Sequence, residues 1–192
     1  MNMNQWRVVY RSLAIQEQPQ FKPLHRLNNQ LLDDYEKRSG FILPRSYRCF
    51  IKVFGPGELT CKYEFCAPGY PDQPEMIDLE KFNEDLKSQM TKSTLKRFSD
   101  PERIQRLVFF CRTGEGDLIG WDPSDVQNAP TREYGIYCWG RANAAKLIAK
   151  SFDQFINSVC LSEKNLNPRG WDEAELGPRR NFRPEYDILG DK

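Results

Sequence analysis

Residues 41–59 read FILPRSYRCFIKVFGPGEL and decide most of the fold. Pro44 suits the first turn of a helix, where its missing N–H would have no partner. The apolar residues that follow recur at steps of three and four, as one buried helix face requires: Tyr47, Phe50, Ile51 and Phe54. Gly55 and Pro56 end the helix.

The residues before this stretch predict a second helix and a polar arm. Apolar side chains recur at helical spacing from Leu24 to Ser39, and Gly40 follows as a stop. Residues 1–23 are polar and rich in Pro and Gln. We predict that they form an arm with a short strand at Trp6–Tyr10.

After the stretch, the pattern changes from helical spacing to alternation. Residues 57–66 alternate apolar and polar side chains, which predicts one half-buried strand. Asp78 is expected to cap a third helix that extends to about Lys92.

A hairpin is predicted further along the chain. Its strands are Leu107–Arg112 and Leu118–Pro123, and the second strand is expected to end at Pro123. The turn is residues 113–117, whose two glycines allow a positive φ.

The rest of the chain predicts a strand, a closing helix and a tail. The strand is Tyr134–Trp139, and the apolar stripe of Ala142–Leu161 indicates the helix. Residues 162–192 lack sustained periodicity and predict a loosely packed tail, anchored by Trp171 or Phe182.

Together these elements predict an α+β fold. Short hairpin connections favour a mostly antiparallel sheet of about five or six strands, flanked by the N-terminal helix pair and the C-terminal helix. The predicted organisation is a polar arm at 1–23, a single domain at 24–161 and a Pro/Arg-rich tail at 162–192.

Composition restricts the chemistry. The 192 residues contain one histidine, His25, so two-His zinc sites are excluded and any Ser–His or Cys–His mechanism would need His25 as its base. We expect a surface or cap role for His25, and a protein that is not an enzyme, with no catalytic residues, cofactor or metal. The charges nearly cancel, 28 Lys and Arg against 27 Asp and Glu, which argues against nucleic-acid binding through a general basic field.

The cysteines and the hydropathy indicate a compartment. Four of the six cysteines have an apolar or aromatic neighbour, which is typical of buried free thiols in a reducing environment. The N-terminus lacks a signal-peptide pattern, and no run reaches the roughly 20 apolar residues of a membrane span. A cytoplasmic protein without a membrane segment is therefore expected.

The most suggestive polar feature is an acidic hairpin, formed by Glu115, Asp117, Asp122 and Asp125. Such carboxylates are able to pair with the arginines of a partner protein or to bind a cation, whereas turn formation alone also explains them. We assign them as candidate partner-binding residues. Residues 1–60 have the opposite excess, with nine basic and five acidic side chains, a net charge of 9 − 5 = +4.

A second candidate surface is aromatic and consists of Trp121, Tyr134, Tyr137 and Trp139. Such side chains are able to stack on single-stranded nucleic acid. They alternate with apolar residues on predicted strands, however, so core packing is the favoured interpretation and no nucleic-acid partner is expected.

Four pieces of the sequence, in this order, resemble the SUKH superfamily, which includes fungal cell-wall regulators of the Smi/Knr type and many bacterial immunity proteins. They are Leu43-Pro44 before a helix, Gly55-Pro56-Gly57-Glu58 after it, Gly114-Glu115-Gly116-Asp117 in the hairpin, and Ser151-Phe152-x-x-Phe155-Ile156 near the end. The resemblance implies an α+β fold without catalytic residues and with a protein partner.

Three functional hypotheses follow. The resemblance implies an immunity-type protein that binds and neutralises a cognate toxin, such as a nuclease or deaminase, encoded nearby. The alternative is a regulatory scaffold of the cell-wall-regulator type, in which the arm and the tail are interaction segments. A hydrolase that uses a Cys/His pair or carboxylates is the third and least favoured hypothesis.

Overall fold

The computed structural model describes residues 1–74, 76–140, 144–166 and 179–187. Its helices are α1 Met3–Arg11, α2 Asn29–Ser39, α3 Arg45–Phe54, α4 Leu79–Gln89, α5 Lys92–Leu95, α6 Pro101–Arg106, α7 Phe152–Gln154, which continues as a π-helix over Phe155–Cys160, and α8 Glu163–Leu166. Its strands are β1 Ala14–Ile15, β2 Lys22–Pro23, β3 Gly57–Leu59, β4 Tyr63–Phe65, β5 Val108–Thr113, β6 Leu118–Asn128, β7 Glu133–Trp139, β8 Lys146–Ala149, β9 Asn181–Pro184 and β10 Tyr186–Asp187.

The main sheet confirms the α+β class and is larger than expected. Within the described residues it has eight strands, in the order β1-β9-β3-β4-β5-β6-β7-β8, and β10 forms a separate ribbon with β2. The sheet is mixed, because β1 and β9 are parallel whereas the other neighbours are antiparallel.

Both faces of the sheet carry packed side chains. On one face, Trp121 of β6 stacks on Phe110 of β5 with ring centroids 4.0 Å apart, and Tyr47 of α3 lies edge-on to Trp121. On the other face, the Arg103 guanidinium of α6 lies over the Tyr137 ring, 4.6 Å from its centroid. The fold is therefore a helix layer on each side of one sheet.

Trp121, Tyr134 and Tyr137 are buried, with exposed fractions of 0%, 4% and 6%, and Trp139 is half-buried against Phe98. Their rings pack inside the protein, as expected, and do not form an exposed stacking platform.

The strand predicted at Trp6–Tyr10 is wrong, because these residues belong to α1. Asn2 and Gln5 form a reciprocal capping box, in which each side chain accepts a hydrogen bond from the other's backbone N–H. Trp6 is fully buried against Phe50, and its indole N–H donates to the Ser46 carbonyl at 3.0 Å. This part of the predicted arm contributes to the core.

Helix α2 begins later than predicted. The Asn28 side chain accepts a hydrogen bond from the Leu31 N–H and caps the helix, so Leu24 and Leu27 precede it. The helices predicted around Pro44 and Asp78 are confirmed as α3 and α4, and the Asp78 carboxylate caps α4 through the N–H groups of Glu80 and Lys81.

The single strand predicted at 57–66 is a hairpin of β3 and β4. The chain reverses at Thr60 and Cys61, which both have a positive φ, at 60° and 52°. Neither is a glycine, so the sequence contained no ordinary sign of this turn.

Strand β6 does not end at Pro123. The pairing with β7 jumps from Trp121–Ile136 to Val126–Tyr134, so Pro123 lies in a bulge where the ladder needs no N–H from it. The turn at 113–117 is as predicted, since the Thr113 N–H donates to the Asp117 carbonyl at 2.8 Å.

The long helix predicted at Ala142–Leu161 is also wrong. Its start lies outside the described residues, and Lys146–Ala149 form the edge strand β8, in which Leu147 pairs with Tyr137. The Ser151 hydroxyl then accepts from the Gln154 N–H at 3.3 Å and starts α7.

Phe182 is the anchor that was expected in the tail, and it is fully buried. The prediction of a loosely packed tail is wrong for Asn181–Pro184, because these residues form β9, which lies between β1 and β3 in the main sheet. Trp171, the other proposed anchor, lies outside the described residues. The predicted domain boundaries stay predictions.

Candidate protein-binding site

The four predicted partner-binding carboxylates do not form one exposed surface. Asp122 is the clearest departure, because only 1% of its side chain is exposed. Arg106 donates to both of its oxygens, at 2.8 and 3.0 Å, and Arg103 donates to one of them at 3.1 Å. Asp122 thus attaches α6 to the sheet.

The protonation of Asp122 follows from these contacts. Burial by itself raises the pKa of the carboxyl group, but hydrogen bonds from Arg106 and from the Ser124 hydroxyl and N–H outweigh it and lower the pKa to about 2. The carboxylate is therefore charged at neutral pH and already paired within the chain.

Asp125 is half-buried further along β6. It accepts a hydrogen bond from the Tyr137 hydroxyl at 2.9 Å, and burial together with this carboxylate raises the pKa of Tyr137. A Cβ on Gly135 would lie 2.0 Å from an Asp125 oxygen, so the side chain occupies space that only glycine leaves free.

Asp117 and Glu115 lie at the turn between β5 and β6. Asp117 is half-buried and its carboxylate fills the space above Gly140, 1.7 Å from where a Cβ would be. Glu115 is exposed and forms no salt bridge with the described residues. Of the four, Glu115 is therefore the one carboxylate that is both exposed and unpaired in the described structure, and a partner-binding role for the set stays a prediction.

The sheet also carries a row of charges that neutralise one another. Arg183 of β9, Glu58 of β3, Glu64 of β4 and Arg112 of β5 are aligned in register across four strands. Glu58 pairs with Arg183 at 2.6 Å, and Glu64 pairs with Arg112 at 2.5 Å. The row offers no net charge to a partner.

The described residues form a groove that the sequence did not predict. Its volume is about 570 Å³, and it lies between α1, the end of α3, residues 17–27 and the β9–β10 segment. The groove is lined by aromatic and basic side chains: Arg7, Tyr10, Arg11, Phe21, His25, Arg26, Lys52, Tyr70 and Tyr186. Its volume lies within the usual range for binding sites in proteins.

Local structure explains how α1 contributes to the groove. Tyr10 and Arg11 lie three and four positions after Arg7, so both are neighbours of Arg7 on the surface of α1, and all three side chains line the groove. The Tyr10 ring packs edge-on against Phe54 of α3, with centroids 5.0 Å apart. This contact holds the basic face of α1 beside the end of α3.

The opposite wall is built by hydrogen bonds over long sequence distances. The Tyr186 hydroxyl accepts from the Gln18 N–H at 2.8 Å, and the Tyr70 hydroxyl donates to the His25 carbonyl at 2.9 Å. The His25 ring lies 4.6 Å from the Tyr70 ring. His25 is exposed on the groove, three residues before the cap of α2, rather than at a helix start.

The groove has an excess of positive charge. Arg7, Arg11, Arg26 and Lys52 line it together with two acids, Glu17 and Glu185. None of the three arginines forms a salt bridge with the described residues, and Lys52 donates to the Asn29 amide oxygen at 2.9 Å. Burial raises the pKa of Glu185.

Four of the six thiols offer little nucleophilic chemistry at neutral pH. Burial raises the pKa of Cys66, Cys111 and Cys160 well above the usual value, and that of Cys138 to about 11. Among the described residues, no group of three or more His, Cys, Asp or Glu side chains is arranged to hold a metal ion.

The fold is thus an α+β domain with a mixed sheet between two helix layers. The model of the SMI1 / KNR4 family (SUKH-1) matches residues 26–158, which is more than half of the chain, and the chain belongs to this family. Comparison with curated proteins and with solved structures gave no match. In the described part of the chain, no helix is both long and apolar enough to cross a bilayer.

The sequence did contain one sign of the groove. All four of its basic residues fall in the first 60 positions, where basic side chains exceed acidic ones. The residues that line it are distant in sequence, however, so their proximity becomes visible only in the folded chain.

Proposed function

We propose that this chain is a non-catalytic protein-binding domain that neutralises a cognate bacterial toxin by covering its active site. Membership of the SMI1 / KNR4 family (SUKH-1) carries the proposal. The aromatic and basic groove supports it, since Tyr and Arg are enriched in the centres of protein interfaces.

Co-purification with the product of the neighbouring gene tests this proposal. We expect a stable complex on size-exclusion chromatography and loss of the neighbour's toxicity when both are expressed. A standard interface buries roughly 1,600 Å². A neighbour that is neither toxic nor bound overturns the proposal.

A regulatory scaffold of the cell-wall-regulator type is the second candidate, and the same family membership supports it. In this case the gene neighbourhood would lack a toxin gene. Deletion of the gene for this chain would then change the sensitivity of cells to agents that damage the cell wall, and would not change their survival on exposure to a toxin. The whole tail is not an interaction segment separate from the domain, because β9 is a strand of the main sheet.

A further inference from the structure

The groove combines two properties that select a particular kind of partner. Its walls are aromatic, with Tyr10 half-buried and Tyr70 and Tyr186 nearly fully buried, whereas Phe21 is 45% exposed at the rim. The Phe21 ring lies 6.4 Å from the Tyr186 ring, so an apolar side chain placed in the groove would contact aromatic surface.

Basic side chains surround this aromatic surface. Four cations face two carboxylates, and burial raises the pKa of one of these, Glu185. Arg7, Arg11 and Arg26 are exposed and without a salt bridge among the described residues, in contrast to Arg103, Arg106, Arg112 and Arg183. Such an arginine is available to a carboxylate of another molecule.

We propose that the groove binds an acidic peptide segment of the protein partner, with an aromatic or aliphatic side chain of that segment inserted between Tyr10, Phe21 and Tyr186. The arginines pair with carboxylates on either side of the inserted side chain. This inference rests on the proposed function, because it names the chemistry of the partner. It also reverses the polarity that the acidic hairpin suggested.

A single-stranded nucleic acid is the other polymer that combines negative charge with flat rings. The groove fits a nucleic acid less well, because each nucleotide carries a phosphate and Glu17 and Glu185 would repel the phosphates beside them. A peptide, in contrast, is able to place a neutral residue beside each carboxylate.

The test uses the full chain and a short fluorescein-labelled peptide in which Asp and Glu flank two Phe residues. Fluorescence anisotropy is measured with this peptide, with a version in which Lys replaces the acids, and with an oligo-dT strand. We expect saturable binding of the acidic peptide, but not of the Lys version or of oligo-dT. This binding should weaken as NaCl rises from about 0.05 to about 0.5 M, because salt screens the attraction between charges.

The variant R7E/R26E should weaken acidic-peptide binding about tenfold or more, since two attractive contacts become repulsive. The matched control is K146E/R180E, which has the same net charge and alters exposed residues outside the groove. Equal weakening in both variants, absence of saturable binding, or preferred binding of oligo-dT overturns the inference. Circular dichroism and the thermal transition check that each variant is folded.

The two proposals fail in different ways. A toxin that binds the wild type and R7E/R26E equally well leaves the proposed function intact and overturns the groove assignment. If R7E/R26E abolishes peptide binding and the gene neighbourhood contains no toxin, the groove is supported as a peptide-binding site. The proposal that the chain neutralises a toxin is then overturned.

Discussion

The carboxylate of Glu133 accepts a hydrogen bond from the backbone N–H of Ser46, at an N···O distance of 3.1 Å. Its second oxygen accepts from the Phe152 N–H at 3.0 Å. Helix α3 begins after Pro44, which provides no side-chain cap, so Glu133, 87 positions after Ser46, supplies the acceptor. One buried side chain of β7 thus caps the starts of α3 and α7.

Replacement of Glu133 by Ala should therefore be costly. Two buried N–H groups lose their acceptor, and we expect the free energy of unfolding to fall by about 2–4 kcal/mol. Urea denaturation followed by circular dichroism measures the change. The control is Glu84→Ala, which removes an exposed carboxylate from α4 and should alter stability by less than about 0.5 kcal/mol. Equal effects of the two substitutions would contradict the shared-cap role.

Asp122 predicts a pH-dependent contribution to stability. Its pKa is about 2 in the folded protein and roughly 3.9 in an unfolded chain. Because the folded value is the lower one, the contribution is complete above roughly pH 4 and is lost as the pH falls towards 2. Asp122→Asn should lower the free energy of unfolding by about 2 kcal/mol at neutral pH, since the hydrogen bonds from Arg103 and Arg106 lose their charged acceptor.

Urea midpoints at neutral pH and near pH 2 measure this effect. The wild type and Asp122→Asn should converge at the lower pH, and Glu115→Gln, which alters an exposed carboxylate, should match the wild type at both. A gap that stays constant with pH would show that the carboxylate charge is not involved.

The close approach of β3 and β9 is tested at Gly57. A Cβ there would lie 2.5 Å from the Arg183 carbonyl oxygen and 2.6 Å from Cζ of Phe182, so Gly57→Ala should destabilise the fold by about 2 kcal/mol or more. Gly114→Ala is the control, because a Cβ at Gly114 meets nothing within 4 Å. Thermal unfolding compares the two, and a wild-type transition for Gly57→Ala would mean that β9 is not seated against β3.

Thiol labelling reports on burial of the cysteines. Cys61 is exposed, Cys49 and Cys138 are half-buried, and Cys66, Cys111 and Cys160 are buried with a raised pKa. At neutral pH, Ellman's reagent should react fast with one thiol of the native chain, and Cys61→Ser should remove that fast phase. The buried three should react only after guanidinium is added. Fast labelling of Cys111 in the native chain would contradict the core.

Local signals predicted some of the fold well. Helix α3 follows from Pro44, one apolar face and Gly55, all within residues 44–55, and nothing distant in the chain opposes them. The 113–117 turn follows from Gly116 for the same reason, since its φ is 87° and glycine adopts such a backbone angle without steric cost.

Tertiary contacts decided the rest. Residues 146–149 contain Leu147 and Ile148 in a run that suits a helix or a strand, and pairing with β7 selects the strand. Trp6–Tyr10 contains the β-branched residues Val8 and Val9, which favour a strand. The Asn2–Gln5 capping box and the burial of Trp6 nevertheless select a helix. Sequence alone measures neither pairing nor burial.

The acidic residues and the groove differ in how far the sequence reveals them. Neighbouring acids in the sequence suggested one patch, but Asp122 is paired by arginines from α6. The groove joins Arg7, Arg26 and Tyr186, which are far apart in the chain and brought together by the fold. A pattern that extends over tens of residues is invisible to a search for local motifs.

Because β9 lies between β1 and β3, this part of the sheet is able to form only late in the synthesis of the chain. A ribosome makes the chain from its N-terminus, and a domain tends to fold as its residues emerge. The outer edge of β3 waits, unpaired, until Asn181–Pro184 have been made, and β1 has no neighbour in the sheet before then. A nascent chain stalled before β9 would therefore expose a strand edge that is able to pair with other molecules.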